Sequence, residues 1–471
     1  MKSWKLATAV LAVMALLLAA CSDTATTTTA GETTQTTAAD TTDTTAAEET
    51  PDDTTAEPMD DIVIGTSLPL TGQFSVPGEL HRLGYQLCVD VINDGGLSTG
   101  KGGVGVLGSK LVLDAPDNQS DTEIAVAQYE RLVTEADILF GTFSSLLTGP
   151  TSSIAEQNGM LYPVPSGGAQ RIWERGFENL FYFQAQPAEG IGSAPVGALV
   201  YYNEQGLISD EDFPATAAVV YADDPFASAN RNGLVGADVV DPASGDVLAS
   251  LAPGFLADAG IEVVFDEQWP EGFTDWTTFA NSIAGSGAEA VFAATASVEE
   301  AISLVQGLQQ VGHQPTFMYL SQGAQNTFLD ELGDAAQHLN VHTVWHSSLD
   351  YVGLIAGEEY TNADFQADYE AAYGETADED GAIPFAVCQG MEQAMLGAGS
   401  TNNDDMRAWL QARTADDPVK TVLGDFYWDD RGLPIDRDYL LNQWQDGTLE
   451  FVYPIGQFPG TVDMVYPKDE W

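Results

Sequence analysis

The chain has 471 residues, of which 71 are acidic and 15 basic, so its formal charge at pH 7 is −56. That balance excludes a nucleic-acid partner and charge-driven adhesion to an anionic membrane, since both need Lys and Arg to meet phosphate. A hydrophobic fraction of 44% with 10% aromatic residues fits a globular protein large enough for more than one core.

Lys2 and Lys5 open the chain, an apolar run follows from Leu6 to Ala20, and it stops at Leu18-Ala19-Ala20-Cys21. Spanning hydrocarbon takes about 20 apolar residues, so this shorter run reads as a secretory signal peptide, residues 1–20, rather than a membrane span. The small residues before Cys21 resemble the lipobox of bacterial lipoproteins, which implies cleavage ahead of Cys21 and acylation of its thiol. Residues 22–60 are nearly all Thr, Ala, Asp and Glu, with no aromatic residue, Lys or Arg. Such a segment cannot bury enough apolar surface to offset chain entropy, and 21–60 is expected to be a disordered acidic stalk.

From Asp61 to Leu68 the pattern is a short buried strand, ended by the polar turn Pro69–Gln73. Helical periodicity runs from Leu83 to Asn93 and stops at Asp94-Gly95-Gly96. Then come a strand from Leu107 to Asp114, a helix from Thr122 to Thr134 and a strand at Ile138–Gly141. The alternation continues through Met160–Val164, Pro187–Tyr202, Thr216–Tyr221, a segment from Phe226, Ile261–Phe265, Trp276–Ser286, Ala290–Ala293, Val298–Val311 and Phe317–Leu320. This βαβα rhythm predicts parallel sheets covered by helices on both faces, with ligands bound beyond the carboxyl ends of the strands. The turns after the first, third and fourth strands are rich in Ser, Thr, Gly and Pro, which suits a site built from backbone amides and hydroxyls.

Motifs for chemistry are few. Gly95-x4-Gly100-Lys101 departs from a phosphate loop, because Gly102 stands where Ser or Thr should follow and a helix precedes it. Neither His-Glu-x-x-His nor Gly-x-Ser-x-Gly occurs. His338, His342 and His346 are spaced by four, but the segment reads as a strand, where four residues span about 13 Å, too far for one ion. Trp409, Trp428 and Trp444 read as core. Cys88 and Cys388 could form a disulfide in an oxidising compartment, or each could serve as a small buried hydrophobe in its apolar stretch. The acidity itself fits either a saline habitat that screens self-repulsion or a composition without function.

One resemblance covers essentially all of 61–471. It rests on Ile64-Gly-Thr-Ser-Leu-Pro-Leu-Thr-Gly72, Ile92-Asn-Asp-Gly-Gly96, Asp117-Asn-Gln-Ser-Asp121 and Phe140-Gly-Thr-Phe-Ser-Ser145. It continues through Pro163-Val-Pro-Ser-Gly-Gly168, Val220-Tyr-Ala-Asp-Asp-Pro-Phe226 and Thr421-Val-Leu-Gly-Asp-Phe-Tyr-Trp-Asp-Asp-Arg-Gly432. In this order the segments resemble the type I periplasmic binding proteins, most closely the branched-chain amino-acid substrate-binding proteins of ABC transporters. The resemblance implies an α/β fold of two doubly wound parallel-sheet lobes joined by three crossovers, with the ligand cleft between them. Lobe I would be 61–189 and 346–422, and lobe II 190–345 and 423–471.

The same resemblance assigns a ligand-carboxylate grip to Ser145 and to the turn Ser166-Gly167-Gly168. Small residues there let backbone N–H groups approach an anion. Phe226 would close over the ligand. Phe74 would stand in for an aromatic at the first turn, where Pro77 aligns. Thr295-Ala296 replaces a tyrosine, and Gln322 stands where the family pairs a carboxylate with the ligand ammonium. The amino end is therefore expected to differ: an amide, an acid without an amine, or an amino acid held another way, with Asp223 and Asp224 as substitute charges. On this reading leucine, isoleucine and valine should bind weakly. The implied function is an extracytoplasmic solute-binding lipoprotein delivering a small polar ligand to ABC permease subunits. It would be monomeric, anchored to the membrane through lipid on Cys21, and without cofactor, metal or catalytic residue. A ligand sensor for a membrane receptor on the same fold is the alternative, and a hydrolase without a recognisable motif is a third class.

Overall fold

The computed structural model describes residues 60–471, so the leader, Cys21 and nearly all of the acidic stalk lie outside the described residues. The strand Ile62–Gly65 pairs in parallel with Leu111–Asp114 on one side and Ile138–Leu139 on the other. Tyr162–Val164 and Leu180–Tyr182 make a further parallel pair. A second sheet has seven strands, five of them parallel in the order Glu262–Trp269, Thr216–Ala222, Ala290–Ala294, Phe317–Leu320, Asn340–Thr343. Ala290–Ala294 and Phe317–Leu320 are buried throughout, as parallel strands covered on both faces must be.

The expected parallel pattern holds in both sheets, with an antiparallel addition at one edge of the larger. Leu440–Gln445 joins Asn340–Thr343 antiparallel, and Thr448–Tyr453 folds back on it. The two strands are linked by Asp446-Gly447, with φ of 50° and 80°. Two positive φ values in a two-residue loop are what a tight hairpin needs, and Asp-Gly supplies them at little cost.

Two expected boundaries also move. The first helix runs Ser75–Asp94, starting about two turns ahead of Leu83. Pro77 and Gly78 lie in its first turn, where a missing N–H costs nothing. Gly78 is required there, since a Cβ would sit 2.0 Å from the Pro69 carbonyl oxygen. The second strand starts at Leu111 rather than Leu107, because Leu107 and Gly108 both take positive φ in a turn between Val106 and Ser109.

The helices Ser75–Asp94 and Glu379–Ala398 lie against each other. Their approach is set by glycine: a Cβ on Gly84 would come within 2.2 Å of the Gly381 carbonyl oxygen. This contact brings Cys88 and Cys388, both buried, into a disulfide, which decides between the two roles left open for them. The chain passes between the small-sheet and large-sheet halves at about 183–192, 344–361 and 427–439. Two of these passages are tied together: Arg437 Nε donates to the Gln184 carbonyl at 2.9 Å and Tyr439 Oη to that of Gln186 at 2.6 Å. Trp428 and Trp444 are core, Trp428 against Phe181 and Phe183, whereas Trp409 is only half-buried. Among the described residues no helix is long and apolar enough to cross a membrane.

Candidate functional site

The carboxyl ends of strands from both sheets converge on one narrow cleft. From the small-sheet side, the turn after Ile138–Leu139 leads to the helix Ser145–Gln157, with Ser144 at its N-cap. Ser144 is 2% exposed, and its Oγ neither caps the helix nor finds any other hydrogen-bond partner. After Tyr162–Val164 comes the turn Pro165–Gly168. Its carbonyls are drawn outward: Gln184 Nε2 donates to Pro165 O at 2.5 Å, Thr148 Oγ1 to Ser166 O at 2.6 Å and Trp173 Nε1 to Gly167 O at 3.0 Å. With the carbonyls so engaged, the turn keeps amides available for an acceptor.

From the large sheet, Asp224 caps the helix Pro225–Val235, accepting from Phe226 N and Ala227 N at 2.8 Å each. Burial pushes the Asp224 carboxyl up to about 7. The cap fixes Phe226, which packs against Phe143 and Leu147 of the other half. Ala296 follows the strand Ala290–Ala294, Gln322 follows Phe317–Leu320, and His342 lies in the next strand. His342 is buried and hydrogen-bonded to the Tyr319 hydroxyl at 3.0 Å; burial lowers it to about 3, so it is neutral at any ordinary pH.

The cleft's third wall is the start of Glu379–Ala398, where Glu379 and Asp380 border the same space as Ser144, Ser166, Gly168, Phe226 and Gln322. Asp380 Oδ2 accepts from Gln325 Nε2 at 2.7 Å, and that amide also donates to Gln322 Oε1 at 2.8 Å. Asp380 Oδ1 lies 3.6 Å from Nε2 of His81, a fully buried ring with no hydrogen-bond partner on either nitrogen. Glu379 Oε2 accepts from Thr343 Oγ1 at 2.7 Å and Val344 N at 3.0 Å. Burial and then the neighbouring Asp380 push Glu379 up to about 8. No Lys or Arg lines this cleft. Its free volume is about 30 Å³, room for a water or two, so a larger guest enters only if the walls separate.

Of the residues expected from sequence, the cleft brings together Ser166, Gly168, Phe226 and Gln322. Three others stand behind it. Ser145 Oγ accepts from Ala169 N at 3.2 Å, bracing the second turn rather than facing the space. Gly167 packs on Thr148, whose Cγ2 a Cβ there would meet at 2.7 Å. Phe74 lies beneath Phe143, ring centroids 5.8 Å apart. Neither suggested substitute charge borders the space: Asp224 is spent on its cap, and Asp223 is exposed and bonded to Gln268. The residues that sequence reasoning missed are Ser144, Tyr182, Gln184, His342, Glu379 and Asp380. Asp378-Glu379-Asp380 ahead of an apolar run does carry a helix-start signal. Nothing local says that this helix start reaches a cleft whose other walls come from turns and strands between Phe143 and Val344. Among the described residues no group of three or more His, Cys, Asp or Glu side chains is placed to hold a metal ion.

Residues 61–448 match the family described as periplasmic binding protein. The Leu/Ile/Val-binding protein homolog 7 of Brucella suis biovar 1 is 24% identical over 404 residues, covering 84% of this chain and 92% of the relative. Among solved structures, the branched-chain amino acid transporter substrate-binding protein of Streptococcus pneumoniae in complex with isoleucine superposes with a TM-score of 0.64 at 19% identity, covering 84% of this chain and all of that one (100%). A solute-binding protein of an ABC transporter from R. palustris in complex with benzoate gives 0.63 at 18% identity, covering 87% and 98%.

Proposed function

The chain belongs to the periplasmic binding protein family, with the type I fold and an extracytoplasmic place of work, and from that premise we propose that it captures a small amine-bearing solute for an ABC importer. Members of this family bind and release; they are not enzymes. The lobes assigned are 61–189 with 346–422 and 190–345 with 423–471. On that division Ser144, the Ser166–Gly168 turn, Glu379 and Asp380 all belong to lobe I, and Phe226, Ala296, Gln322 and His342 to lobe II. A ligand would dock on lobe I by both ends, and lobe II would close with Phe226 over it, because only the closed form makes both sets of contacts.

The observation that carries the ligand class is the pair Glu379 and Asp380 in a cleft lined by no Lys or Arg. A carboxylate group can meet the Ser144 hydroxyl and the amides of the Ser166–Gly168 turn. A ligand that is only an anion would also face the Asp380 carboxylate with no Lys or Arg beside it to compensate. An ammonium is favoured beside that carboxylate. This reverses the expectation drawn from Gln322 alone. Its side-chain oxygen is engaged by Gln325, which in turn bonds Asp380, so the charge that the amide lacks is supplied one residue further back. On this proposal leucine, isoleucine and valine are candidate ligands, against the expectation of weak binding drawn from Gln322.

A thermal-shift screen of L-amino acids, each beside its deaminated acid, tests the reading. For every amino acid that stabilises the protein, the acid should bind at least about tenfold more weakly, the worth of one charge-assisted hydrogen bond. Acids that match or surpass their amines would overturn it and restore the second reading, a carboxylic acid without an amine, which the benzoate-bound structural relative favours. The lipid anchor at Cys21 and the 21–60 stalk complete the proposal as the tether that keeps the binding protein near its permease.

A further inference from the structure

His342 borders the cleft and has no part in the grip at either end of the solute. It lies in the strand Asn340–Thr343, which pairs with Phe317–Leu320 so that Tyr319 stands beside Asn340. Side chains two apart on a strand share a face, so Tyr319 and His342 project to the same side of the sheet. There the Tyr319 hydroxyl meets His342 Nδ1 at 3.0 Å. Asn230, from the helix Pro225–Val235, donates Nδ2 to the same hydroxyl at 3.1 Å. Asn230 and Tyr319 are fully buried.

A tyrosine hydroxyl has one proton to give. Here it accepts from Asn230 and has no other acceptor than His342 among the described residues, so Nδ1 takes that proton's hydrogen bond. Burial keeps the ring neutral. A neutral imidazole whose Nδ1 accepts carries its own proton on Nε2. The relay from Asn230 through Tyr319 thus fixes the tautomer. The Asp380 carboxylate across the cleft acts in the same sense, since its field favours an N–H over a lone pair at Nε2.

This Nε2 makes no hydrogen bond among the described residues, and it is not sealed, in contrast to both ring nitrogens of His81. His342 is 7% exposed, and the space it borders is the cleft. A second observation agrees with it. The other residues that 190–345 brings to the cleft are Phe226, Ala296, Gln322 and Val344, and among these only Gln322 has a polar side chain. Its Oε1 is taken by Gln325 Nε2, so it too has an N–H left to offer. The large-sheet wall is therefore a wall of neutral donors, opposite the acids of the Glu379–Ala398 helix start.

We propose that His342 is a solute-binding residue: on closure its Nε2–H donates to an acceptor oxygen of the solute, with Tyr319 and Asn230 as the positioning residues that keep the proton on that nitrogen. A solute that offers only hydrocarbon to this wall is selected against, because the N–H loses water without gaining a partner. The proposal rests on the cleft as the solute site, and it holds for an amino acid and for an acid without an amine alike.

Protein carrying isotope-labelled histidine tests it before any solute is added. Long-range proton–nitrogen spectra show which ring nitrogen holds the proton, and among the five histidines the His342 signals are those lost in His342→Phe. The neutral Nε2–H tautomer is expected. The Nδ1–H tautomer, which an Asn230 amide turned over would give, or a charged ring at pH 7, overturns the proposal. The twenty standard L-amino acids and their deaminated acids are then added one at a time. The solute that most raises the melting midpoint should shift the Nε2–H signal. It should bind about three- to tenfold more weakly to His342→Phe and to Tyr319→Phe. His342→Gln, which keeps a donor near the place of Nε2, should retain most of the affinity, and Tyr319→Phe should lose the single tautomer. A solute that stabilises the protein without moving the signal overturns the proposal, and so does a set in which none moves it. Acids that match their amines would overturn the amine reading and leave His342 in place.

Discussion

Asp380 and Ser166 mark the two kinds of residue in the candidate site. Ser166 was legible in sequence because it lies in a Ser/Gly turn directly after a strand, where parallel sheets expose backbone amides. Asp380 was not, because its place depends on how a helix from late in the chain packs on the first helix. Ser144 and Ser145 show the finer limit: adjacent residues at a helix start point differently, and only the backbone geometry decides that Ser144 borders the cleft while Ser145 braces Ala169. Cys21 belongs to the same scale. The proposal of an anchor requires that mass spectrometry of membrane-extracted protein find a chain beginning at Cys21 with at least a diacylglycerol attached. Cys21→Ala should release the protein without altering solute affinity. A mature chain with Cys21 bare or removed would end the lipoprotein reading.

At the scale of elements, the alternation of strands and helices through Leu320 was readable from periodicity. The closing antiparallel hairpin was missed, although Asp446-Gly447 is the local signal for it. The disulfide was undecidable from sequence because two buried cysteines 300 residues apart carry no information about their separation in space. Its consequence is now definite. It joins the first helix to the one that presents Glu379 and Asp380. Loss of a native disulfide costs roughly 2–5 kcal/mol, much of it by freeing the unfolded chain. Cys88→Ala with Cys388→Ala, or reduction, should therefore lower the melting temperature by several degrees and loosen the acidic wall of the cleft. An unchanged melting temperature under verified reduction would contradict the assignment.

For the whole molecule, acidity is the governing property. Burial holds Glu189, Asp224 and Glu392 up to about 7, and burial with a neighbouring carboxylate holds Asp378 and Glu379 up to about 8. In the unfolded chain these groups ionise near pH 4. Between about pH 4 and 8 the folded state thus binds more protons than the unfolded, and stability must fall as pH rises through that window. The self-repulsion behind the formal charge of −56 acts in the same sense and is relieved by salt. Thermal melts should show a higher midpoint near pH 5 than near pH 8. Glu392→Gln should reduce the slope, since its Oε2 is buried without a partner. A midpoint that rises from pH 5 to pH 8 would contradict this.

The central claim is that an amine-bearing solute is held in the cleft by Asp380 and Glu379 at one end and the Ser166–Gly168 turn at the other. Calorimetry with the best amino acid from the screen, on wild type and Asp380→Asn, tests it most directly. The account predicts one ligand per chain and at least about a tenfold loss of affinity in the variant. The variant's affinity for the deaminated acid should be unchanged or improved. Equal affinity of the two proteins for the amino acid would contradict it.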